Sequence, residues 1–196
     1  MEARSNVKIT TCEPFAKTLT ILDASHKCGI SDIGIASCRS ITKLYASRNT
    51  TITTCASFAK TLTILNASYN CGISDISIAS CCGIIKLIAS DNVKITTCKP
   101  FAKTLTILDA ALKCGIADMG IASCYSIVEL CALNNPRITT CAPFARCLKR
   151  LDASYDCGIG DDGIASCQFI VELYASCNSA ITSRAPFRML RATNVA

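Results

Sequence analysis

The segment FAKTLTIL occurs letter for letter at 15–22, 58–65 and 101–108, so the chain repeats itself with a period of 43 residues. A period in this range constrains the fold more than any single residue does, because each unit must bury its apolar face against the next copy. Each period also divides in two. Leu19-x-x-Leu22-x-Ala24-Ser25 opens a longer half, and Ile41-x-x-Leu44-x-Ala46-Ser47 opens a shorter one. Openings follow at Leu19, Ile41, Leu62, Ile84, Leu105, Ile127, Leu148 and Ile170, with spacings that alternate between 22 and 21 residues. Residues 1–196 therefore read as a single array with partial units at both ends. The stretch 3–17 aligns with 46–60, so the array opens partway through a unit, and the last half unit drops a residue after Phe187. Neither end carries the polar cap that terminal repeats normally need.

Each opening reads as a short strand, because Leu22 and Ala24 alternate with Ile21, Asp23 and Ser25 in a period of two. Asn49, Asn70, Asn92, Asn135 and Asn178 come five residues after the second apolar anchor, and Ile52, Ile73, Ile95, Ile138 and Ile181 follow three later. In the longer half, CGISDIGIASC places Asp32 as an N-cap for one or two helical turns ending near Cys38, repeated by Asp75, Asp118 and Asp161. In the shorter half, proline before phenylalanine in ITTC-x-PFAK favours an extended or irregular turn. Phe15, Phe58, Phe101, Phe144 and Phe187 are expected to stack as a buried aromatic spine.

The chain contains 16 cysteines, a number that in a small secreted protein would suggest a disulfide scaffold. Here twelve of them fall into three columns at the repeat period: Cys12/55/98/141, Cys28/71/114/157 and Cys38/81/124/167. Members of one column lie roughly 10 Å apart if each coil rises by one strand spacing, too far for a disulfide. They are expected to be reduced, buried, small hydrophobes in a cytoplasmic, reducing setting, with pairing between columns left open. No C-x-x-C pair exists, Cys81 and Cys82 being adjacent and Cys141 six residues from Cys147, so no metal and no cofactor are expected. Half the residues are apolar (51%), but polar positions interrupt every run well short of a membrane span, and the first residues contain no continuous apolar stretch of export type. A net charge of +6 with few aromatics predicts neither nucleic-acid nor membrane binding. Asn49-Thr50-Thr51 and Asn66-Ala67-Ser68 match the glycosylation pattern, which without export is read as chance.

The pattern L-x-x-L-x-A-S-x-N-x-x-I resembles the leucine-rich-repeat family, with alanine where that family usually has a further strand Leu or Ile. The longer halves, such as Cys28 to Cys38, resemble its cysteine-containing subtype, common in ubiquitin-ligase substrate receptors. Two departures stand out: Lys27, Lys113 and Asp156 occupy the Asn position, and the Cys falls one place later than usual. The near-identical halves also look similar to arrays carried by large DNA viruses. The resemblance implies a right-handed leucine-rich-repeat solenoid, an α/β repeat with a concave parallel β-sheet and short helices or turns on the convex side. It further implies a non-catalytic scaffold that binds a partner protein on the concave face. Alternatives are a substrate-recognition subunit of a ubiquitin ligase, or a unit that self-associates through uncapped ends presenting Ile9 and Phe15, and Ile181, Phe187 and Leu190.

If the strands are so placed, three outward columns line the concave face. The middle one reads Asp23, Tyr45, Asn66, Ile88, Asp109, Cys131, Asp152 and Tyr174. One flank includes Lys43, Lys86, Glu129, Arg150 and Glu172, and the other is a serine column: Ser25, Ser47, Ser68, Ser90, Ser154 and Ser176. Where the repeat is copied verbatim, identical residues record duplication, so the informative positions are those that vary: Tyr45/Ile88/Cys131/Tyr174 and His26/Tyr69/Leu112/Tyr155. Aromatic residues on a rigid surface suit protein recognition. A hydrolytic triad has only Asp23, Ser25 and His26 to draw on, since His26 is the sole histidine, and no phosphate loop is present. An enzyme is not expected.

Overall fold

The two apolar anchors of each unit point inward while the residues around them point out, and a row of short parallel strands results. In the computed structural model, which describes residues 1–182, these are β1 (Ile21–Asp23), β2 (Lys43–Tyr45), β3 (Ile64–Asn66), β4 (Lys86–Ile88), β5 (Ile107–Asp109), β6 (Glu129–Cys131), β7 (Arg150–Asp152) and β8 (Glu172–Tyr174). They form one sheet in chain order, every neighbouring pair parallel. The second leucines align across it: Leu22, Leu44, Leu65, Leu87, Leu108, Leu130 and Leu151 are all buried. Met1 to Ala3 continue this ladder at one edge, with Asp23 donating to the Met1 carbonyl and Ala3 to that of Asp23.

Each coil leaves the sheet four residues after that leucine, at a residue with left-handed backbone. His26, Arg48, Tyr69, Asp91, Leu112, Asn134, Tyr155 and Cys177 all have φ between 54° and 62°. Such a conformation costs a non-glycine residue about 1–2 kcal/mol. It is held because the same residue still donates its N–H to the next coil, as His26 does to Ser47 (2.6 Å) and Leu112 to Leu133 (2.8 Å).

The groups freed by this bend are satisfied in two different ways. In the shorter halves Asn49, Asn92, Asn135 and Asn178 are buried. Asn49 Nδ2 donates back to the carbonyls of Ala24 (2.8 Å) and Ile30 (3.2 Å), while its Oδ1 accepts from Thr51 and Ile52. Asn92, Asn135 and Asn178 repeat those donations one period apart. Asn70 does not belong to this ladder, although its sequence offset is the same: it is exposed, with φ 57°. In the longer halves the chain turns so that the next residue faces in, and Cys28, Cys71, Cys114 and Cys157 are buried there. Cys28 Sγ accepts from Ile30 N–H (3.4 Å) and Cys71 Sγ from Ile73 N–H (3.5 Å). That turn accounts for the one-place offset of the cysteine.

The side away from the sheet departs from expectation at two places. One-turn helices α1 (Asp32–Ile35), α2 (Asp75–Ile78), α3 (Asp118–Ile121) and α4 (Asp161–Ile164) do form in the longer halves. Asp32 is their first residue, however, and Ser31 occupies the N-cap position. The Asp32 carboxylate reaches the next coil instead: Oδ1 accepts from Thr53 N (2.7 Å) and Thr54 N (3.1 Å), and Oδ2 from Thr53 Oγ1 (2.5 Å). Asp75, Asp118 and Asp161 make the same clamp to Thr96, Thr139 and Thr182. The shorter halves form a 3-10 turn at Glu13–Phe15, Ala56–Phe58, Lys99–Phe101 and Ala142–Phe144 where an irregular turn was expected. Proline is tolerated there because a first-turn N–H has no helical partner to lose.

Phe58, Phe101 and Phe144 are fully buried, whereas Phe15, in the first of the described 3-10 turns, is 52% exposed. Phe187 and Leu190 lie outside the described residues. All 16 cysteines are free thiols. Two columns prove to be neighbours: Cys55 hydrogen-bonds Cys81, Cys98 bonds Cys124, and Cys141 bonds Cys167. That bond and burial push the Cys55 pKa well up, while accepting it lowers that of Cys81.

Coils approach so closely that one column is glycine in three of its four members. A Cβ on Gly34, Gly120 or Gly163 would lie 2.1–2.2 Å from a threonine carbonyl oxygen of the preceding coil. The second repeat has Ser77 instead, whose hydroxyl donates to that carbonyl, of Thr53. The local ladder widens in response: Cys55 N to Ser77 O is 3.4 Å, against 2.8–2.9 Å at the three glycine coils.

Two expected outcomes follow for stability. Phe58→Ala lowers it by about 3–5 kcal/mol in urea unfolding, and Phe15→Ala by less than about 1 kcal/mol; equal losses contradict the buried spine. Asn92→Ala, which strands two carbonyls, costs about 2–4 kcal/mol, while Asn70→Ala costs under about 1 kcal/mol, measured in the same way.

Candidate protein-binding face

Strand register turns the expected outward columns into real rows. Asp23, Tyr45, Asn66, Ile88, Asp109, Cys131, Asp152 and Tyr174 lie side by side across β1 to β8, as do Ile21, Lys43, Ile64, Lys86, Ile107, Glu129, Arg150 and Glu172. The middle row is half-buried throughout. His26, Tyr69, Leu112 and Tyr155 form a third row at the bend, with Tyr69 and Tyr155 exposed.

The middle row is of two kinds. In the longer halves its side chains cap the bend: Oδ1 of Asp23, Asn66, Asp109 and Asp152 accepts the N–H two residues on. Short polar side chains at the end of an extended segment favour this turn, so these four have a structural task whether or not anything binds. In the shorter halves the row holds Tyr45, Ile88, Cys131 and Tyr174, which make no such cap and vary between units, with tyrosine in the first and last.

Most of the serine column is not outward, although Ser176 is exposed and Ser47 half-buried. Ser25, Ser68, Ser90 and Ser154 are buried, because the chain folds into the coil immediately after them. Ser68 Oγ bonds Asn66 Oδ1 (2.7 Å) and Ser47 Oγ (3.1 Å), and Ser90 Oγ bonds Asp109 Oδ1. Asp23, Ser25 and His26 form no catalytic relay: Asp23 accepts from Ser25 N, and His26 Nε2 meets Arg4 Nη2 at 3.0 Å.

The row at the bend has members that the sequence reading passed over. Arg48, four residues after Leu44 just as His26 is after Leu22, belongs to it, and the offset alone could have placed it there. The Arg48 guanidinium lies over the Tyr69 ring, 4.9 Å from its centroid. Together with Arg4, it rims a shallow basin of about 390 Å³ lined by Asp23, His26, Tyr45, Asn66 and Tyr69. At the far end Arg150 pairs with Glu172 (3.2 Å) and sits 5.7 Å from the Tyr174 ring, whose hydroxyl donates to Glu172 (3.2 Å). The two ends are therefore built alike, an arginine against a tyrosine, but only the far one has its cation paired with a carboxylate. Between them Lys43 and Lys86 project from β2 and β4, and Glu129 from β6.

Among the described residues, no group of three or more His, Cys, Asp or Glu side chains is placed to hold a metal ion, and no helix is long and apolar enough to cross a membrane. On the helix side Ile33, Ile76 and Met119 stand 88–89% exposed. They are two coils apart and so roughly 10 Å from one another, single apolar residues and not a continuous patch.

No protein-family model matches the chain, and no curated protein does. Among solved structures it is similar to an internalin from Listeria monocytogenes, with a TM-score of 0.60 and 18% sequence identity. The alignment covers 89% of this chain and 58% of the internalin, so the chain spans well under two thirds of that protein's length. With the anchors, the in-register parallel sheet and one strand per coil already in place, this likeness identifies the fold: the chain is a leucine-rich-repeat solenoid.

Proposed function

We propose that the chain is a non-catalytic protein-binding module whose partner lies along the outward face of the sheet. The observation that carries this reading is the contrast within the middle row. Positions whose side chains hold the bend are Asp or Asn in every unit, while positions free of that task read Tyr45, Ile88, Cys131 and Tyr174. Residues released from structural work carry the differences, as expected where a surface is shaped by what it touches.

Tyr45 and Tyr69 at one end and Tyr155 and Tyr174 at the other supply aromatic anchors on a backbone fixed by neighbouring coils. Large rings held on a rigid support lose little freedom on binding, which is why they dominate interface energetics. Asp23, His26, Asn66, Lys43, Lys86, Ile88, Asp109, Glu129, Asp152 and Glu172 complete the surface as its polar and apolar surroundings.

The test is affinity capture with the intact chain, comparing recovery by variants in which Tyr45, Tyr69, Tyr155 and Tyr174 are replaced singly by alanine. Loss of an anchor is expected to weaken capture about thirtyfold, the equivalent of about 2 kcal/mol. Lys60→Ala and Lys103→Ala, exposed residues just past the 3-10 turns, are expected to leave it unchanged. Recovery of every partner at the wild-type level by all four tyrosine variants would refute the reading.

A further inference from the structure

The charge on the sheet face is divided along its length. Over β1 to β4 the outward rows carry Lys43, Lys86 and Arg48 against Asp23 and Asp91. Over β5 to β8 they carry Asp109, Glu129, Asp152 and Glu172 against Arg150 alone. Arg150 is already committed to Glu172, in the only ion pair among the described residues.

Arg4 and Arg48 are therefore both without a carboxylate partner, and both are held in place. Arg4 is oriented by its contact with His26 and Arg48 by stacking on Tyr69. A guanidinium presents five N–H donors in a rigid fork shaped for a carboxylate, and at each of these two most of the donors remain unused. The one acid on the basin, Asp23, has Oδ1 engaged by Ser25 N–H. Two oriented, unpaired guanidiniums beside the Tyr45 and Tyr69 rings favour a carboxylate with an apolar neighbour.

Resting on the reading that the sheet face is the docking surface, we infer that the basin between Arg4 and Arg48 receives a carboxylate side chain from an acidic segment of the partner polypeptide. The acidic half of the face fixes the rest of the geometry. A bound chain runs with its acidic stretch over β1 to β3 and a basic or neutral stretch over β5 to β8. A nucleic acid fits less well, because its phosphates would have to continue across Asp109, Glu129 and Asp152.

The probe is fluorescein-labelled hexaglutamate, titrated with the intact chain and read by fluorescence anisotropy, with hexalysine and a short oligothymidylate in parallel. Hexaglutamate is expected to bind saturably and to weaken severalfold between about 50 and 500 mM salt. The double variant Arg4→Gln/Arg48→Gln is expected to weaken it at least about tenfold, while Lys60→Gln/Lys103→Gln leaves it unchanged, circular dichroism confirming that both variants fold. Absence of saturable binding, equal loss in the two double variants, or preference for the oligothymidylate would overturn the assignment. If capture of a partner still depends on Tyr45 or Tyr69 while hexaglutamate ignores both arginines, the docking face stands and the carboxylate site falls.

Discussion

The structure depends on how a coil satisfies the main-chain groups it frees when it bends out of the sheet. A strand of three residues contributes few hydrogen bonds, and a left-handed residue follows each one. Carbonyls such as those of Ala24 and Ile30 would be buried with no partner if nothing reached them, at about 1–3 kcal/mol each. Asn49 reaches both from the following coil. A coil is thus incomplete until its neighbour is in place, and this is the physical content of the repeat.

The two halves of each period solve that problem by complementary means. The shorter half contributes an asparagine at the bend and a threonine pair on the far side; the longer half contributes a cysteine and the aspartate that the threonines grip. Each longer coil is therefore tied at both faces to the shorter coil that follows it, by Asn near the sheet and by Asp opposite it. Apolar side chains fill the space between, with Phe58, Phe101 and Phe144 the largest. Where the pattern is broken, the cost is visible locally: Ser77 in place of glycine lengthens one cross-coil hydrogen bond. Since the outward rows take no part in these ties in the shorter halves, they can vary without weakening the array, and a surface that varies freely on a fixed frame can be adapted to a partner.

The parts of this plan that lie along one coil were legible in the sequence. Leu22 with Ala24 and its copies announce the strands by alternation, and the repeat then places every outward row, including Tyr45 beside Asn66. What joins different coils was harder to read. Asp32 sits where an N-cap would, and only three-dimensional proximity shows that it serves Thr53 and Thr54, some 21 residues on. Asn70 shares its offset with Asn49 yet faces solvent, because the backbone of the longer half turns one residue further. The serines continue the alternation of the strand in sequence but lie past its end, where the chain has begun to turn inward. Arg4 and Arg48 reach one basin from two coils, a meeting that no local pattern encodes.

If neighbouring coils complete one another, protection should be greatest in the middle of the array and fade toward its ends, since terminal coils open at little cost. Native-state hydrogen exchange resolved by residue tests this directly. The account predicts that the cross-strand amides of β4 and β5 exchange slowest, with protection falling stepwise toward β1 and β8. Uniform protection across all eight strands, collapsing together in one transition, would contradict it.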